Sequence, residues 1–203
     1  MVGGGGNSLV FGPVPSRRLG RSLGVNNIPA KTCSYSCVYC QLGRTTRLSI
    51  ERRKFYPPRE IYLRVAERLS LIKEKGEKVD YVTFVPDGEP TLDVNLGHEI
   101  RLLKSLGVKV AVLTNASLMS REDVRLDLMG ADLVSVKIDS LHVKTWKRVN
   151  RPHPSLVLDK IIEGLKSFSK EYKGMLITET MMIEGVDYLN ELKLLEEILK
   201  DLK

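Results

Sequence analysis

The sequence predicts an α/β fold, a partial parallel (β/α) barrel of about five to six strand–helix units. Three observations carry that prediction. Short runs rich in β-branched residues alternate with longer runs whose apolar residues recur at three- and four-residue spacing, the rhythm of a parallel sheet covered by helices. The strand-like runs are apolar almost throughout, as strands buried on both faces are. Each unusual polar cluster follows or ends a strand-like run, where parallel α/β folds gather their functional loops.

The first parallel strand is expected over 23–28, with the cysteine-bearing loop after it. Pro57-Pro58 opens a helix over 58–74, because Pro suits the first helical turn, and Gly76 closes it. A strand over 79–85 leads into Asp87-Gly88-Glu89-Pro90-Thr91 and a helix over 92–106, which Gly107 ends. A strand over 108–113 precedes Thr114-Asn115-Ala116-Ser117 and a helix over 120–128, with Gly130 after it. The fourth strand, over 133–138, closes on Lys137 and Asp139-Ser140. Above its end lie His142, Trp146, a loop over 148–152 and His153, and then a helix over 156–169. A strand over 175–182 carries Thr178-Glu179-Thr180, and a helix over 188–202 completes the fifth unit. Five units are too few to close an eight-unit barrel. No repeat or linker divides the chain, so 9–203 reads as one core domain and 1–8, with its glycine run, as a flexible lead.

At 203 residues, 42% hydrophobic and 28% charged, the chain has the composition of a globular protein that needs no disulfide or metal staple. It has no apolar run of about 18 residues and no basic-then-apolar leader, so the expectation is no membrane span and a cytoplasmic location. The net charge of +7 is weighted toward the first quarter, through Arg17, Arg18, Arg21, Arg44, Arg47, Arg52, Arg53 and Lys54. A phosphate-bearing or nucleic-acid partner would use such a patch. So would a solvated surface rich in Lys, Arg and Glu, with Gln41 the single glutamine. Charge alone leaves both open.

The cysteines say more. All three fall within eight residues, Cys33-x-x-x-Cys37-x-x-Cys40. An odd count at that spacing is no disulfide framework, and it fits a reducing compartment. One loop can wrap three thiolates around one small centre, and soft thiolates select iron–sulfur clusters, zinc or copper(I). Structural zinc wants four ligands, and so does an ordinary [4Fe–4S] cluster. Three ligands would leave an open position, as catalysis requires. The alternatives are three buried thiols, or zinc completed by His98, His142 or His153.

The stretch Cys33-Ser34-Tyr35-Ser36-Cys37-Val38-Tyr39-Cys40 resembles the C-x-x-x-C-x-Φ-C motif of the radical S-adenosylmethionine (SAM) superfamily, with Tyr39 in the aromatic slot. The resemblance implies a partial barrel of the radical SAM type. It also implies a [4Fe–4S] cluster on Cys33, Cys37 and Cys40, with SAM chelating the fourth iron and cleaved reductively to a 5′-deoxyadenosyl radical. Gly88-Glu89-Pro90 is similar to the family's glycine–glutamate motif, with Glu89 as partner of the SAM ammonium and Gly88 permitting close backbone approach. Asn115 and Ser117 match positions that contact the SAM carboxylate or ribose. Lys137, Asp139, Thr178 and Glu179 would face SAM or substrate.

Phe11-Gly12-Pro13-Val14-Pro15-Ser16-Arg17-Arg18-Leu19-Gly20 and 85–92 further resemble a branch near the wyosine-forming tRNA-modifying enzymes. That likeness implies an external electron donor and a tRNA or protein substrate. Arg17 and Arg18 would meet phosphates, or else pair with acidic side chains across the bottom of the barrel. Two departures stand out: no cysteines remain for a second cluster, and the sixth unit is missing. The other readings are a glycyl-radical or protein activase, a non-catalytic iron–sulfur module, and an RNA-binding scaffold.

Overall fold

The computed structural model describes residues 8–202, so residues 1–7 of the expected lead lie outside the described residues. In chain order the elements begin with β1 (Val10–Ser16), β2 (Gly20–Val25), β3 (Thr32–Cys33), β4 (Arg47–Leu48) and α1 (Pro58–Glu74). Next come β5 (Tyr81–Phe84), a 3₁₀ turn (Pro90–Leu92), α2 (Leu96–Lys104), β6 (Lys109–Thr114) and α3 (Glu122–Leu128). The last are β7 (Leu133–Lys137), α4 (Val143–Asn150), α5 (Leu158–Glu171), β8 (Met175–Glu179) and α6 (Tyr188–Asp201).

Six strands form one sheet in the order β1-β2-β5-β6-β7-β8. The last five are mutually parallel, and β1 pairs antiparallel on β2. The sheet curves without closing: β1 and β8 are its two edges, so the partial barrel stands. Gly76 and Gly107 turn the chain at φ 68° and 73° just past α1 and α2, a conformation that residues with a Cβ avoid.

Side chains alternate across the sheet. Leu23, Val82, Phe84, Val110, Val112, Val134 and Val136 point outward into one core with Ile61, Ile100, Leu165 and Phe168 from the helices. The inner face is more polar than the apolar runs suggested. Ser22 and Thr83 share a hydrogen bond at 2.7 Å, and Ser135 donates to Glu179 at 2.5 Å. Leu19, Ala111 and Leu133 fill the interior beside them. Arg18 pairs with Glu179 at 2.6 Å, so of the two expectations for that arginine the intramolecular pair is the one formed.

Four expectations change. The hairpin strand β1 was not foreseen. The helix expected over 92–106 splits into the 3₁₀ turn and α2, because Glu89 caps the turn and Asp93 receives the amide of Asn95. The loop expected above β7 is largely the helix α4. The last strand stops at Glu179, where Thr180 and Met181 bond back to Ile138 and Asp139. Among the described residues no helix is long and apolar enough to cross a membrane.

Candidate cofactor site

The cysteine loop leaves β2 and crosses the C-terminal ends of the parallel strands. Its short ribbon pairs β3 with β4. On its far side it is laced to the α4–α5 connection: Ser36 N donates to Asn150 O at 3.0 Å, Val38 N to Val149 O at 2.9 Å, and His153 N to Ser34 O at 2.9 Å. Gly88 lets the loop after β5 come up beneath it. A Cβ there would stand 2.0 Å from the Thr32 carbonyl oxygen, so only glycine fits. The next amide, Glu89 N, donates to that same carbonyl at 3.1 Å. The Cys33 strand and the Gly88-Glu89 loop are thereby tied together.

Glu89 is 1% exposed. Its Oε1 accepts from Thr91 N (3.1 Å), Thr91 Oγ1 (2.6 Å) and Thr114 Oγ1 (2.6 Å), and its Oε2 from Asn115 N (2.8 Å). Burial pushes its pKa up, and those donors pull the other way. Among the described residues no Lys, Arg or His stands within ion-pair distance of it. A buried carboxylate with donors but no countercharge fits the amino group of a ligand. Pro90 is buried in the 3₁₀ turn, and its carbonyl accepts from Asn27.

Asn115 and Ser117 follow β6. Asn115 Nδ2 donates to Ser34 Oγ at 2.9 Å and to Cys33 Sγ at 3.4 Å. Ser117 is wholly buried and shares a 2.5 Å hydrogen bond with Ser34. A second group forms at the end of β7. Tyr39 donates to Asp139, which also accepts from Asn150 Nδ2 at 2.6 Å and Met181 N at 2.8 Å. Lys137 lies over the Tyr39 ring, its Nζ 4.9 Å from the centroid, a cation–π contact rather than an ion pair with Asp139. Thr178 pairs in register with outward-facing Val136, whereas Glu179 and Lys137 share the inner face.

No motif marks Asn150, which donates to Cys37 Sγ at 3.5 Å from 113 residues away. Thr91 and Thr114 were legible as hydroxyls beside Glu89, but their role was not. Burial, then the Glu89 charge, drives the Cys33 thiol up to about 12, and burial also raises Cys37. Thiols so placed ionise only against a positive centre. Among the described residues no three Cys, His, Asp or Glu side chains are already gathered to hold a metal ion. Of the histidines weighed for zinc, His98 is exposed on α2 and His142 is the exposed N-cap just before α4. The donor set therefore fits an iron–sulfur cluster better than zinc: three thiols on one loop, and amide N–H groups directed at two of the sulfurs.

Comparison with known proteins agrees. The chain is 55% identical over 184 residues to a UPF0026 protein of Methanocaldococcus jannaschii, covering 91% of this chain and 57% of that one. It is 41% identical over 189 residues to a UPF0026 protein of Synechocystis sp., covering 92% and 69%. The chain thus spans little more than half of the first relative's length. Its fold is shared with TYW1 solved with a lysine-pyruvate adduct bound, at TM-score 0.67 and 16% identity over 91% of this chain and 63% of that one. Residues 27–198 match the Radical SAM superfamily, and the chain belongs to that superfamily.

Proposed function

We propose that this chain holds a [4Fe–4S] cluster on Cys33, Cys37 and Cys40 and binds SAM beside it, to start radical chemistry by abstracting hydrogen from a substrate in the open barrel. One observation carries the reading: the buried, cation-free carboxylate of Glu89 is joined through Asn115 to the sulfur of Cys33. Cluster and SAM are the cofactors of the superfamily, and a cluster held by Cys33, Cys37 and Cys40 would, once reduced, provide the electron for reductive cleavage of SAM. Everything else is the work of this chain's own side chains. Glu89 takes the SAM amino group, while Thr91 and Thr114 hold its carboxylate in place. Asn115 serves the SAM carboxylate or ribose and also donates toward Cys33, and Ser117 fixes Ser34 and with it the loop. Lys137 and Asp139 stand at the barrel mouth, aligning Tyr39 and facing SAM or substrate.

The protein, purified without oxygen and reconstituted with iron and sulfide, should give a reduced [4Fe–4S] EPR signal that shifts when SAM is added. Dithionite should then release 5′-deoxyadenosine, and Cys40→Ala should abolish both results. A cluster whose spectrum ignores SAM would instead identify a non-catalytic iron–sulfur module. Of the substrate classes, tRNA has a fold neighbour behind it, and adding tRNA should then raise 5′-deoxyadenosine release.

A further inference from the structure

A groove of about 730 Å³ runs beside the cysteine loop, between its exit and the α4–α5 connection. Arg44, Lys147, Arg151 and His153 line it together with the hydroxyls of Thr45 and Thr46, and no Asp or Glu does. Several arginines elsewhere are matched, Arg18 with Glu179, Arg52 with Asp123 and Asp127, and Arg121 with Asp123. Among the described residues Arg44, Lys147 and Arg151 meet no carboxylate at ion-pair distance. A second groove, about 470 Å³ beside α1, shows the ordinary arrangement, with Glu60, Arg64, Glu67 and Arg68 alternating in sign. A concave surface of one sign raises the local concentration of the opposite charge. This one asks for an acidic partner.

Two features decide which. No Phe, Tyr or Trp lines the groove and His153 supplies its single ring, so it offers successive bases no row of stacking platforms. None of the inward-facing sheet residues lines it either, so a molecule seated there does not enter the barrel. Yet Ser36, between two of the cysteines, forms part of its wall, and the opposite wall is hydrogen-bonded to that loop through His153 N and Ser34 O at 2.9 Å. A partner in this groove lies against the cysteines rather than against the substrate. Resting on the function proposed above, we infer that the groove docks an acidic one-electron carrier protein. The carrier is oxidised by one electron, and the cluster on Cys33, Cys37 and Cys40 takes that electron up.

The test uses the full chain with its cluster and an acidic flavodoxin as the probe. Arg44→Glu combined with Lys147→Glu reverses two exposed charges outside the cofactor site. Titration calorimetry with oxidised flavodoxin should show binding that weakens with salt and falls roughly tenfold or more in the double variant. Release of 5′-deoxyadenosine driven by reduced flavodoxin should fall in step, while release driven by dithionite stays within about twofold of the wild type. Arg59→Glu, on the surface of α1, should change neither. Flavodoxin that fails to bind the wild type, or binds the double variant equally well, overturns the inference. So does a double variant that loses RNA binding while keeping flavodoxin. A wild type silent with dithionite refutes the functional reading instead, and the calorimetry still decides the groove.

Discussion

Two buried glutamates lie ten residues apart on either side of the 3₁₀ turn, each 1% exposed, and they are held in opposite ways. Glu89 meets four donors: two amides and two hydroxyls. Among the described residues no amide or hydroxyl donates to either oxygen of Glu99, and Asp93 Oδ2 and Asn27 Oδ1 are likewise unserved. Burial raises the pKa of both, but only Glu99 also faces a second carboxyl group, Asp93, and it is pushed to about 9. The first pocket is built for an anion. The second suits a proton: a protonated Glu99 would have the neighbouring Asp93 carboxylate as its acceptor, with the Arg52 guanidinium offsetting the charge that remains. Both side chains are equally shielded from solvent, so the donors around Glu89 and the Asp93 carboxyl beside Glu99 are what set the two pockets apart.

The strongest way to break the anion side is Gly88→Ala. Its Cβ would lie 2.0 Å from a backbone oxygen that no side-chain rotation can move, so the cysteine loop must shift. We expect a loss of about 3 kcal/mol in urea unfolding, the upper end for overpacking, together with weaker retention of iron. A wild-type midpoint would show that the loop does not need this approach. Glu89→Gln comes next. It turns an NH₂ group toward donors that need an acceptor, at a cost of about 2 kcal/mol. It should also remove the SAM-induced EPR shift while leaving the cluster signal. If SAM still shifts the signal, Glu89 is only the cap of the 3₁₀ turn.

The anion side was readable in the sequence because its parts are local. The cysteines, Gly88-Glu89 and Asn115 each sit at the end of a strand whose apolar run is plain, and α1 falls over 58–74 as expected. The proton side was hidden. Reading 92–106 as one helix placed Asp93 within a regular helix, whereas the break before α2 turns it fully inward toward Glu99. β1 was missed because Gly12, Pro13 and Pro15 argue against a strand, and only an edge position tolerates them. Helix α4, eight residues long, is too short to show a period, so Asn150 and its bond to the Cys37 sulfur had no local signal.

The smallest effect is the sharpest test of the comparison. Glu99 has its folded pKa raised from the ordinary 4.5 to about 9, so between those values the folded chain holds a proton that the unfolded chain has released. Its contribution to stability is fully present below about pH 4.5 and is lost as pH climbs toward 9. Asp93, raised to about 6, titrates within the same window, and Arg52 and Asp127 are the other charges facing the pair. Glu99→Gln replaces the shared proton with an amide N–H that no pH in this range removes. Near pH 5 the variant should therefore melt close to the wild type, within about 1 kcal/mol, since one neutral donor replaces another. Toward pH 9 it should melt higher, because only the wild type must give up its proton or strain to keep it. Parallel melting curves across that range would mean that the two carboxyl groups share no proton, and that Glu99 is held by something other than Asp93.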